Sequence, residues 1–490
     1  MAIISLSRII AFWADQQPDR IAIDHEGAAI TWREFEARTN RLARAYAGLG
    51  VKPGDFVTIA LPNSIEFLES VFATWKLGAT PQPISARLPK FERDQIVELG
   101  KPSLVVGVAP GEYDPTPSLP AGFVPDGNFA DDPLAEITSV SIKAMTSGGS
   151  TGRPKLIVSK VPGAWDPDVP FLEIPLQGGM LIPGPLYHNG PFMWAMIALF
   201  KGCTVGLTTR FDPEQSLATI ERLKLNVAYM VPTMMRRVWA LPEEVRNSYN
   251  LSSLTVLWHL AAPCPPWLKE CFIEWLGAET IWELYGGTEG QGSTIIQGTE
   301  WLTHKGSVGR PVETCEMKIV GEDGETLPAG EVGEVFIRPL SGPGTTYHYL
   351  GAEARAIEGG WESLGDMGWM DAEGYLYLTD RMSDMILVGG ANIYPAEVEA
   401  AIDAYPGVRS SAVIGLPDDD MGARLHAVID RPEGAVADAD MLAHLADRLV
   451  KYKIPKSFEY SAEPVRDDAG KVRRKALREE RIAATGKAPA

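Results

Sequence analysis

The chain has 490 residues, a formal net charge of −19, 45% apolar residues and 22% charged residues. This length exceeds what one hydrophobic core usually organises, so we expect two or more domains. The negative charge argues against nucleic acid as the main partner, because phosphate backbones are bound by clustered positive charge. Small anions stay compatible with it, since local basic groups and backbone N–H groups bind them in acidic proteins.

Targeting and redox signals favour a cytoplasmic protein. The N-terminal segment MAIISLSRIIAFWADQQPDR predicts an amphipathic helix, because Arg8 interrupts the apolar run and no cleavage site follows. The apolar run PFMWAMIALF is too short to span a bilayer, so we expect no integral membrane segment. No CxxC pair occurs among the four cysteines, which suggests neither a zinc site nor a redox dithiol and suits a reducing compartment.

The N-terminal half alternates helix and strand patterns. Thr31 and Glu34 have capping-box spacing and Gly50 supplies a stop, so a helix is predicted from 31 to 50. The strand DFVTIALP and the helix IEFLESVFATWKLG follow. Helices are then predicted at 213–224, 233–240 and 266–276, each followed by a strand: NVAYMV, TVLWHL and TIWELYG. This order indicates α/β layers with largely parallel sheets.

Two further patterns follow residue 300. Short β segments between Gly/Asp turns (MKIVGEDGETL, GEVFIRP, GYLYLTD and MILVGG) predict a β-rich subdomain. Near residue 384 the pattern changes to the helix PAEVEAAIDAY, with Pro395 at its first position, the strands VRSSAVIGL and LHAVID, and a helix near 439–450. We predict an N-terminal domain at 1–382 and a C-terminal domain at 383–490.

The segment TSGGSTGRPK, residues 146–155, favours neither a helix nor a strand. Glycine lets the backbone approach phosphate closely, while hydroxyl and N–H groups donate to its oxygens. An ATPase-type P-loop, GxxxxGK[ST], is excluded because Pro154 stands five positions after Gly149 and Lys155 precedes neither Ser nor Thr. Taken alone, the segment could equally be a flexible surface turn.

Six later motifs accompany this segment: PLYHNG (185–190), ELYGGTEG (283–290), SVGRP (307–311), LGDMG (364–368), YLTDRMSDMILVGGANIYPAEVE (377–399) and DDAGKVRRKALRE (467–479). In this order they resemble the adenylate-forming superfamily, which contains acyl-CoA synthetases, aryl-CoA ligases, luciferases and peptide-synthetase adenylation domains. The resemblance covers essentially the whole chain. Bacterial ligases for bile-acid or steroid side chains, and aryl- and medium-chain acyl-CoA ligases, are the most similar members.

The resemblance implies a fold and a reaction. The fold is α/β, with a large N-terminal domain of layered, mostly parallel sheets and helices, a β-rich subdomain, and a small mobile α+β C-terminal domain. In the reaction a carboxylate attacks the α-phosphate of ATP, with Mg²⁺, to give an acyl-adenylate and pyrophosphate. A thiol, here CoA, then displaces AMP. The first step gathers negative charges, so the site needs charge neutralisation and positioning.

The resemblance also implies the nucleotide site. Tyr285 would stack on adenine, Asp366 would accept from the ribose hydroxyls beside Arg381, and the glycine-rich loop would hold the β- and γ-phosphates. The family's Thr-Gly-Asp reads Leu364-Gly-Asp here, which is a departure from the pattern. The predicted ATP- or AMP-binding residues are Thr146, Ser147, Gly148, Gly149, Ser150, Thr151, Gly152, Lys155, Ala262, Pro263, Tyr285, Gly286, Asp366 and Arg381.

Four residues are predicted to act in catalysis. By the resemblance, Lys471 stabilises the charge that develops on the carboxylate and α-phosphate, and Thr288 hydrogen-bonds the α-phosphate. Glu289 would hold Mg²⁺, and His188 would gate the carboxylate pocket. Without the other motifs, Lys471 would read as a solvated lysine in a charged tail, and His188 as a structural histidine.

The acyl and CoA sites are implied less specifically. The predicted acyl pocket comprises Phe192, Met193, Trp194, His259 and Gly287, for which ordinary core packing is the alternative. CoA would pass Gly389 and Gly390, which could also form a plain β-turn. The hinge position is Ser383, where the family usually has Asp or Lys.

We therefore expect an AMP-forming ligase that joins a bulky hydrophobic or cyclic carboxylic acid to CoA. One alternative is an enzyme that loads a separate carrier protein, and another is a non-catalytic nucleotide- or acyl-binding protein. Intact Glu289, Asp366 and Lys471 argue against the last. A homodimer is compatible with the resemblance, and the sequence does not decide it.

Overall fold

The computed structural model describes residues 3–148, 154–381, 384–388, 391–418, 421–432, 434–467 and 470–485. Its helices are α1 (Leu6–Gln16), α2 (Trp32–Gly48), α3 (Ile65–Lys76), α4 (Lys90–Gly100), α5 (Asn189–Phe200), α6 (Pro213–Leu223), α7 (Pro232–Trp239), α8 (Glu243–Arg246), α9 (Pro266–Leu276), α10 (Gly298–Trp301), α11 (Pro395–Asp403), α12 (Asp438–Ala446) and α13 (Arg474–Thr485).

The strands of the first half are β1 (Ile4–Ser5), β2 (Ile21–His25), β3 (Ala28–Thr31), β4 (Phe56–Ile59), β5 (Thr80–Pro83), β6 (Leu104–Val106), β7 (Ser118–Leu119), β8 (Ala144–Gly148), β9 (Pro154–Ser159), β10 (Ala164–Trp165), β11 (Gly179–Ile182), β12 (Thr204–Leu207) and β13 (Val227–Met230). Those of the second half are β14 (Val256–Leu260), β15 (Ile281–Gly286), β16 (Ser293–Gln297), β17 (Arg310–Pro311), β18 (Cys315–Val320), β19 (Gly333–Pro339), β20 (Tyr347–Leu350), β21 (Arg355–Ile357), β22 (Trp361–Met370), β23 (Leu376–Arg381), β24 (Ile386–Val388), β25 (Ala391–Ile393), β26 (Ser410–Asp418), β27 (Gly422–Asp430) and β28 (Ser457–Ser461).

The largest sheet among the described residues has the strand order β17-β16-β15-β14-β13-β11-β12-β2-β3. Its central strands, from β15 across to β2, run parallel. A second, parallel sheet has the order β5-β4-β6-β7. Helix α3 contacts β4 and β5 of this second sheet and β2 of the first. The predicted α/β layers with parallel sheets are therefore confirmed.

The predicted N-terminal helices form for the expected local reasons. Thr31 accepts from the backbone N–H of Glu34, and the Glu34 carboxylate accepts from the Thr31 N–H, which completes the capping box of α2. Helix α3 is capped by Ser64, whose hydroxyl accepts a hydrogen bond from the Phe67 N–H. Both helices bury large aromatic residues. The fully buried rings of Phe72 and Trp75 meet edge-on, with their centroids 5.0 Å apart.

The β-rich subdomain is confirmed as an antiparallel sheet, β18-β19-β22-β21, in which β23 also pairs with β22. A smaller antiparallel sheet, β20-β9-β8, carries both ends of the predicted phosphate loop. Its strand β20 comes from the β-rich region, and β8 and β9 come from the first half of the chain. This pairing brings residues near 350 to the loop.

The C-terminal domain has its own hydrophobic core, built around α11, α12 and the sheet β26-β27-β28. The helix expected near 439–450 is α12, which ends earlier, at Ala446. Arg236 of α7 bridges the two domains, because its guanidinium donates to the carbonyl oxygens of Asp403 and Arg409. The predicted boundary at 382/383 falls outside the described residues. No helix in the described part of the chain is long and apolar enough to cross a membrane.

Candidate active site

The predicted phosphate segment lies on the hairpin of β8 and β9. Ser147 pairs with Lys155 across this hairpin, and Gly148 pairs with Pro154 at the end where the two strands are connected. The Oγ1 atom of Thr146 is buried and has no hydrogen-bond partner among the described residues. The remaining predicted loop residues, Gly149, Ser150, Thr151 and Gly152, lie outside the described residues.

Lys155 and Glu289 come together near the connected end of this hairpin. The ammonium group of Lys155 lies 3.6 Å from Glu289 Oε1 and 4.0 Å from the centre of the Tyr349 ring. The Tyr349 hydroxyl donates to the same Glu289 oxygen at 2.6 Å. Burial and the neighbouring Glu289 charge raise the pKa of Tyr349, which keeps this hydroxyl protonated and donating. The sequence motifs did not indicate Tyr349, which β20 places beside β9.

The Glu289 carboxylate is suited to a phosphate-bound magnesium ion. Glu289 is 7% exposed, and one of its oxygens faces Lys155 and Tyr349. Across the described residues, no group of three or more His, Cys, Asp or Glu side chains is arranged to hold a metal alone. Mg²⁺ in phosphate-transfer sites is often bound through one or two carboxylates together with substrate phosphates. A single buried carboxylate beside a phosphate loop fits that mode of binding.

Tyr285 and Asp366 are joined directly. The Tyr285 hydroxyl donates to Asp366 Oδ2 at 2.7 Å, and Asp366 is 8% exposed on β22. The backbone of Arg381 on β23 stands opposite Asp366. Tyr285, which lies 81 residues before Asp366 in the sequence, is thus brought next to Asp366 and the backbone of Arg381.

Leu364, which replaces the family's threonine, packs against Gly287, the residue that follows β15. A Cβ atom at Gly287 would lie 2.6 Å from Leu364 Cδ1 and 2.8 Å from Glu289 Oε2, so a larger residue there would displace the carboxylate. Gly286 is exposed at the end of β15, and Thr288 is half-buried in the turn before Glu289. Ala262 and Pro263 follow the adjacent parallel strand β14. These residues therefore share the carboxyl edge of the sheet, where α/β folds bind ligands.

The C-terminal domain contributes a tight turn to this edge. The backbone N–H of Asp467 donates to the Lys471 carbonyl oxygen, and the Lys471 N–H donates to Asp467 Oδ1, each at 2.9 Å. Gly470 has a positive φ of 77° and packs on the N-terminal domain. A Cβ at this position would lie 3.3 Å from Thr233 Oγ1 and 3.8 Å from Ala262 Cβ. Lys471 is thereby held at the surface of the N-terminal domain.

His188 is the N-cap residue of α5 and stands near this turn. Burial, together with the positive charge of Lys471, lowers the pKa of His188 to about 3. Its Nε2 atom is buried and has no hydrogen-bond partner among the described residues. A neutral imidazole facing a lysine can accept or donate a hydrogen bond without adding charge to the site.

A second lysine, absent from the sequence prediction, lies on the same side. Lys143 immediately precedes β8, and its ammonium group donates a short hydrogen bond to Oδ1 of Asn189, the residue after His188. Burial lowers the pKa of Lys143 to about 7, and the charge of Glu289 partly opposes this effect. In the sequence, Lys143 is a single lysine just before a predicted strand. Periodicity alone does not show whether such a lysine is buried or exposed.

Four aromatic side chains pack together on one face of the largest sheet. Tyr229 on β13 is in register with Trp258 on β14, and Trp258 with Trp282 on β15, so the three side chains share one face of the sheet. Trp194 of α5 covers this face, with its ring centroid 5.7 Å from Tyr229 and 6.2 Å from Trp258. We call Trp194, Tyr229, Trp258 and Trp282 the aromatic wall. Met193, half-buried, precedes Trp194 on the helix.

Two residues predicted for the acyl pocket, Phe192 and His259, lie away from the aromatic wall. Phe192 is fully buried on another side of α5, where its ring faces Trp75 of α3 at 6.4 Å, because successive helix residues point about 100° apart. His259 follows Trp258 and therefore points to the opposite sheet face. There it lies 3.9 Å from Glu283, which accepts a 2.7 Å hydrogen bond from Lys269 of α9. Their role in an acyl pocket stays a prediction.

The predicted CoA-binding residues Gly389 and Gly390, and the predicted hinge Ser383, lie outside the described residues. The side chain of Arg381 is likewise not described. Their roles stay predictions.

Comparison with known proteins identifies the family. The profile of the AMP-binding enzyme family matches residues 10–350, and that of the AMP-binding enzyme C-terminal domain matches residues 397–467. The chain belongs to the AMP-binding enzyme family. It is therefore an adenylate-forming enzyme by fold, with a large N-terminal and a separate C-terminal domain.

Relatives of this AMP-binding enzyme match it over nearly its whole length. A feruloyl-CoA synthase from Amycolatopsis is 34% identical over 94% of this chain and 95% of its own. A 2-succinylbenzoate–CoA ligase from Bacillus licheniformis is 31% identical over 95% of this chain and 98% of its own. Among solved structures, o-succinylbenzoate CoA synthetase from Bacillus subtilis, in complex with its acyl-adenylate intermediate, matches with a TM-score of 0.81 and 25% identity. That match covers 97% of this chain and 98% of the other.

Proposed function

We propose that this AMP-binding enzyme is an AMP-forming ligase that joins a ring-bearing or bulky apolar carboxylic acid to CoA. The observation that carries the proposal is the docked turn at Gly470, which brings the charge of Lys471 to His188 at the edge that also carries Glu289 and Lys155. This arrangement gathers positive charge from both domains around one point. A reaction between a carboxylate and a triphosphate requires such an arrangement, because every reactant is an anion.

In the first step, an oxygen of the substrate carboxylate attacks the α-phosphorus of ATP, and pyrophosphate leaves with the electron pair of the broken P–O bond. Lys471 neutralises charge on the carboxylate and α-phosphate, and Lys155 does so on the departing phosphates. Neutral His188 orients the carboxylate without adding charge. Mg²⁺, when bound at Glu289, supplies further charge neutralisation on the phosphates.

The nucleoside is held by the residues joined through β22. Asp366 accepts from the ribose hydroxyls, and its hydrogen bond with Tyr285 orients both side chains for the nucleotide. In the second step, the CoA sulfur attacks the acyl carbon of the adenylate, and AMP leaves. We keep Gly389 and Gly390 as the glycines past which the pantetheine arm approaches, and Ser383 as the hinge between the two steps. A domain boundary at 382/383 is part of the same proposal.

Two observations support a ring-bearing or bulky acid and CoA as acceptor. The aromatic wall includes Trp194 of α5, the helix that His188 caps, so large apolar rings lie on the element that leads away from His188. The relatives are named as CoA synthases and ligases, and two of them as acting on ferulic acid and succinylbenzoate, both aromatic. These names favour CoA over a separate carrier protein as the acceptor of the acyl group. A cytoplasmic location and a homodimer stay predictions.

The test measures AMP formation from ATP and Mg²⁺ with and without CoA, using straight-chain, aryl and polycyclic acids. We expect CoA-dependent AMP with ring acids, and a loss of at least about a hundredfold in the adenylation rate of Lys471→Ala. The control is Lys475→Ala, an exposed lysine in the same basic tail, which should retain activity. Pyrophosphate release without a CoA thioester would instead point to another acceptor. No reaction with any acid would refute the proposal.

A further inference from the structure

Arg236 is a buried arginine between the two domains, and none of the predicted sites includes it. Its side chain projects from α7 of the N-terminal domain and is 9% exposed. The guanidinium group donates a 2.6 Å hydrogen bond to the Asp403 carbonyl oxygen and a 3.0 Å hydrogen bond to the Arg409 carbonyl oxygen. It also lies 3.2 Å from Asp403 Oδ2. One side chain thus makes three polar contacts with the C-terminal domain.

The acceptors of these contacts lie at the end of α11. Asp403 is the last residue of this helix, where carbonyl oxygens have no partner within the helix and the helix dipole is negative. A guanidinium group presents several N–H donors in one plane, so it can bind a carboxylate and two carbonyl oxygens together. From the N-terminal domain, the ring centre of Trp267 lies 5.3 Å from the guanidinium carbon. Arg236 is therefore held in its own domain while it binds the end of α11.

A second ion pair connects α11 to the turn that carries Lys471. Glu399 lies one turn before the end of α11 and is 3% exposed. Its carboxylate accepts a 2.7 Å hydrogen bond from the guanidinium group of Arg466. The same guanidinium group donates to the Gly470 carbonyl oxygen at 3.0 Å. Side-chain hydrogen bonds therefore connect α11 to the residue that precedes Lys471.

The same face of α7 also contacts this turn directly. Thr233 lies three residues before Arg236, so the two side chains are neighbours on the helix surface. A Cβ atom at Gly470 would lie 3.3 Å from Thr233 Oγ1, which shows how closely the turn approaches α7. The hydrogen bonds of Arg236 are directional, so they restrict how the C-terminal domain can be turned about this point of approach.

We propose that Arg236 is a positioning residue for adenylation, which holds the C-terminal domain in the orientation that places Lys471 near His188. Turning the domain about the proposed hinge at Ser383 would break its three contacts and expose Arg236 and Asp403 to water. Water can then hydrate both charged groups, so the contact can form and break in each catalytic cycle. The inference rests on the proposed ligase function and adds a residue that acts in its first step only.

The experiment measures the two half-reactions separately on each variant. Adenylation is followed as single-turnover pyrophosphate release from ATP and Mg²⁺, with a ring acid on which wild type is active. Thioester formation is followed after CoA is added to enzyme with purified acyl-adenylate of the same acid. The adenylation rate is proportional to the fraction of molecules in the docked orientation. We expect Arg236→Met to lower adenylation by roughly ten- to a hundredfold and to leave thioester formation within about twofold.

Two further variants test the chemistry of the contact. Arg236→Lys should adenylate at a rate between those of wild type and Arg236→Met, because an ammonium group lacks the planar fork that reaches several acceptors at once. The matched control is Arg237→Met. Arg237 is the next residue of α7, is exposed, and donates to the Phe211 carbonyl oxygen within the N-terminal domain. Both half-reactions of this control should stay within about twofold of wild type. Because the ratio of the two rates is taken on one enzyme, a smaller folded fraction cancels.

Three results would overturn the inference. Equal losses in both half-reactions of Arg236→Met would mean that the residue serves stability or both steps alike. An unchanged adenylation rate would mean that its contacts do not orient Lys471, and a loss confined to thioester formation would assign it to the second step. In all three cases wild type still releases pyrophosphate, so the proposed ligase function stands. If wild type forms an adenylate from no acid, both proposals fall.

Discussion

The Tyr349 hydroxyl donates a 2.6 Å hydrogen bond to Oε1 of Glu289, the carboxylate proposed to hold Mg²⁺. Its ring lies 4.0 Å from the Lys155 ammonium group, so one side chain contacts both the anion and the cation of the phosphate end of the site. The bond orients the Glu289 carboxylate with this oxygen toward both Tyr349 and Lys155. Tyr349 acts through Glu289 and is a positioning residue.

Tyr349→Phe should raise the Mg²⁺ concentration needed for half-maximal pyrophosphate release and lower the adenylation rate by about tenfold, since a hydrogen bond to a charged group contributes about 1.5–3 kcal/mol. The rate of thioester formation from added acyl-adenylate should change little. Tyr375→Phe is the control, because its hydroxyl donates to Glu300, away from Glu289. An unchanged Mg²⁺ dependence in Tyr349→Phe would contradict the assignment.

The turn that carries Lys471 gives a second prediction. Gly470 and Gly422 have nearly equal positive φ values, 77° and 76°, but a Cβ at Gly470 would meet Thr233 while one at Gly422 would meet nothing within 4 Å. Replacing either glycine with alanine should cost about 1–2 kcal/mol of backbone strain. Only Gly470→Ala should also slow adenylation, because it pushes the turn away from the N-terminal domain. Equal activity of the two variants would show that the docked turn is not needed.

Lys143 gives a prediction about pH. Its folded pKa is about 7, while a lysine in the unfolded chain titrates near 10.4. Between these values the unfolded chain binds more protons, so the Lys143 contribution to the free energy of unfolding rises with pH from about 7 to about 10. The Tm of wild type minus that of Lys143→Met should therefore increase across this range. Lys160 is exposed, so the Tm difference between wild type and Lys160→Met should not change with pH. A Tm difference for Lys143→Met that does not change with pH would mean that burial does not lower the Lys143 pKa.

The buried ion pair of Lys269 and Glu283 gives a prediction about stability. Lys269 and Glu283 are both nearly fully buried and joined by a 2.7 Å hydrogen bond. Lys269→Met leaves a buried carboxylate unpaired and should destabilise the protein by about 3–5 kcal/mol, and adding Glu283→Gln should recover part of this loss. Lys305→Met breaks an exposed pair with Glu270 and should cost at most about 1 kcal/mol. Thermal unfolding of the three variants checks this, and a similar small loss in Lys269→Met would refute it.

The sequence by itself determined the elements and residues whose signals are local. The capping box of Thr31 and Glu34 places the start of α2, and the alternation of helices and strands indicates a parallel α/β fold. The ordered motifs indicate the family, because several glycine-rich turns with their acidic residues occur in one order along the chain. Glu289 and Asp366 were found in this way, and both are buried in the structure. Asp366 of β22 is hydrogen-bonded to Tyr285 of β15, the strand that precedes Glu289.

The tertiary structure decided which side chains share a site. Tyr349 reaches Glu289 because β20 pairs with β9, and no pattern near residue 349 indicates that pairing. Trp258 and His259 are adjacent in sequence yet face opposite sides of the sheet, so only the helices packed on each side decide which one meets Trp194. Phe192 likewise faces α3 because of its angular position on α5. Periodicity determines which residues share a face, whereas long-range packing decides what that face contacts.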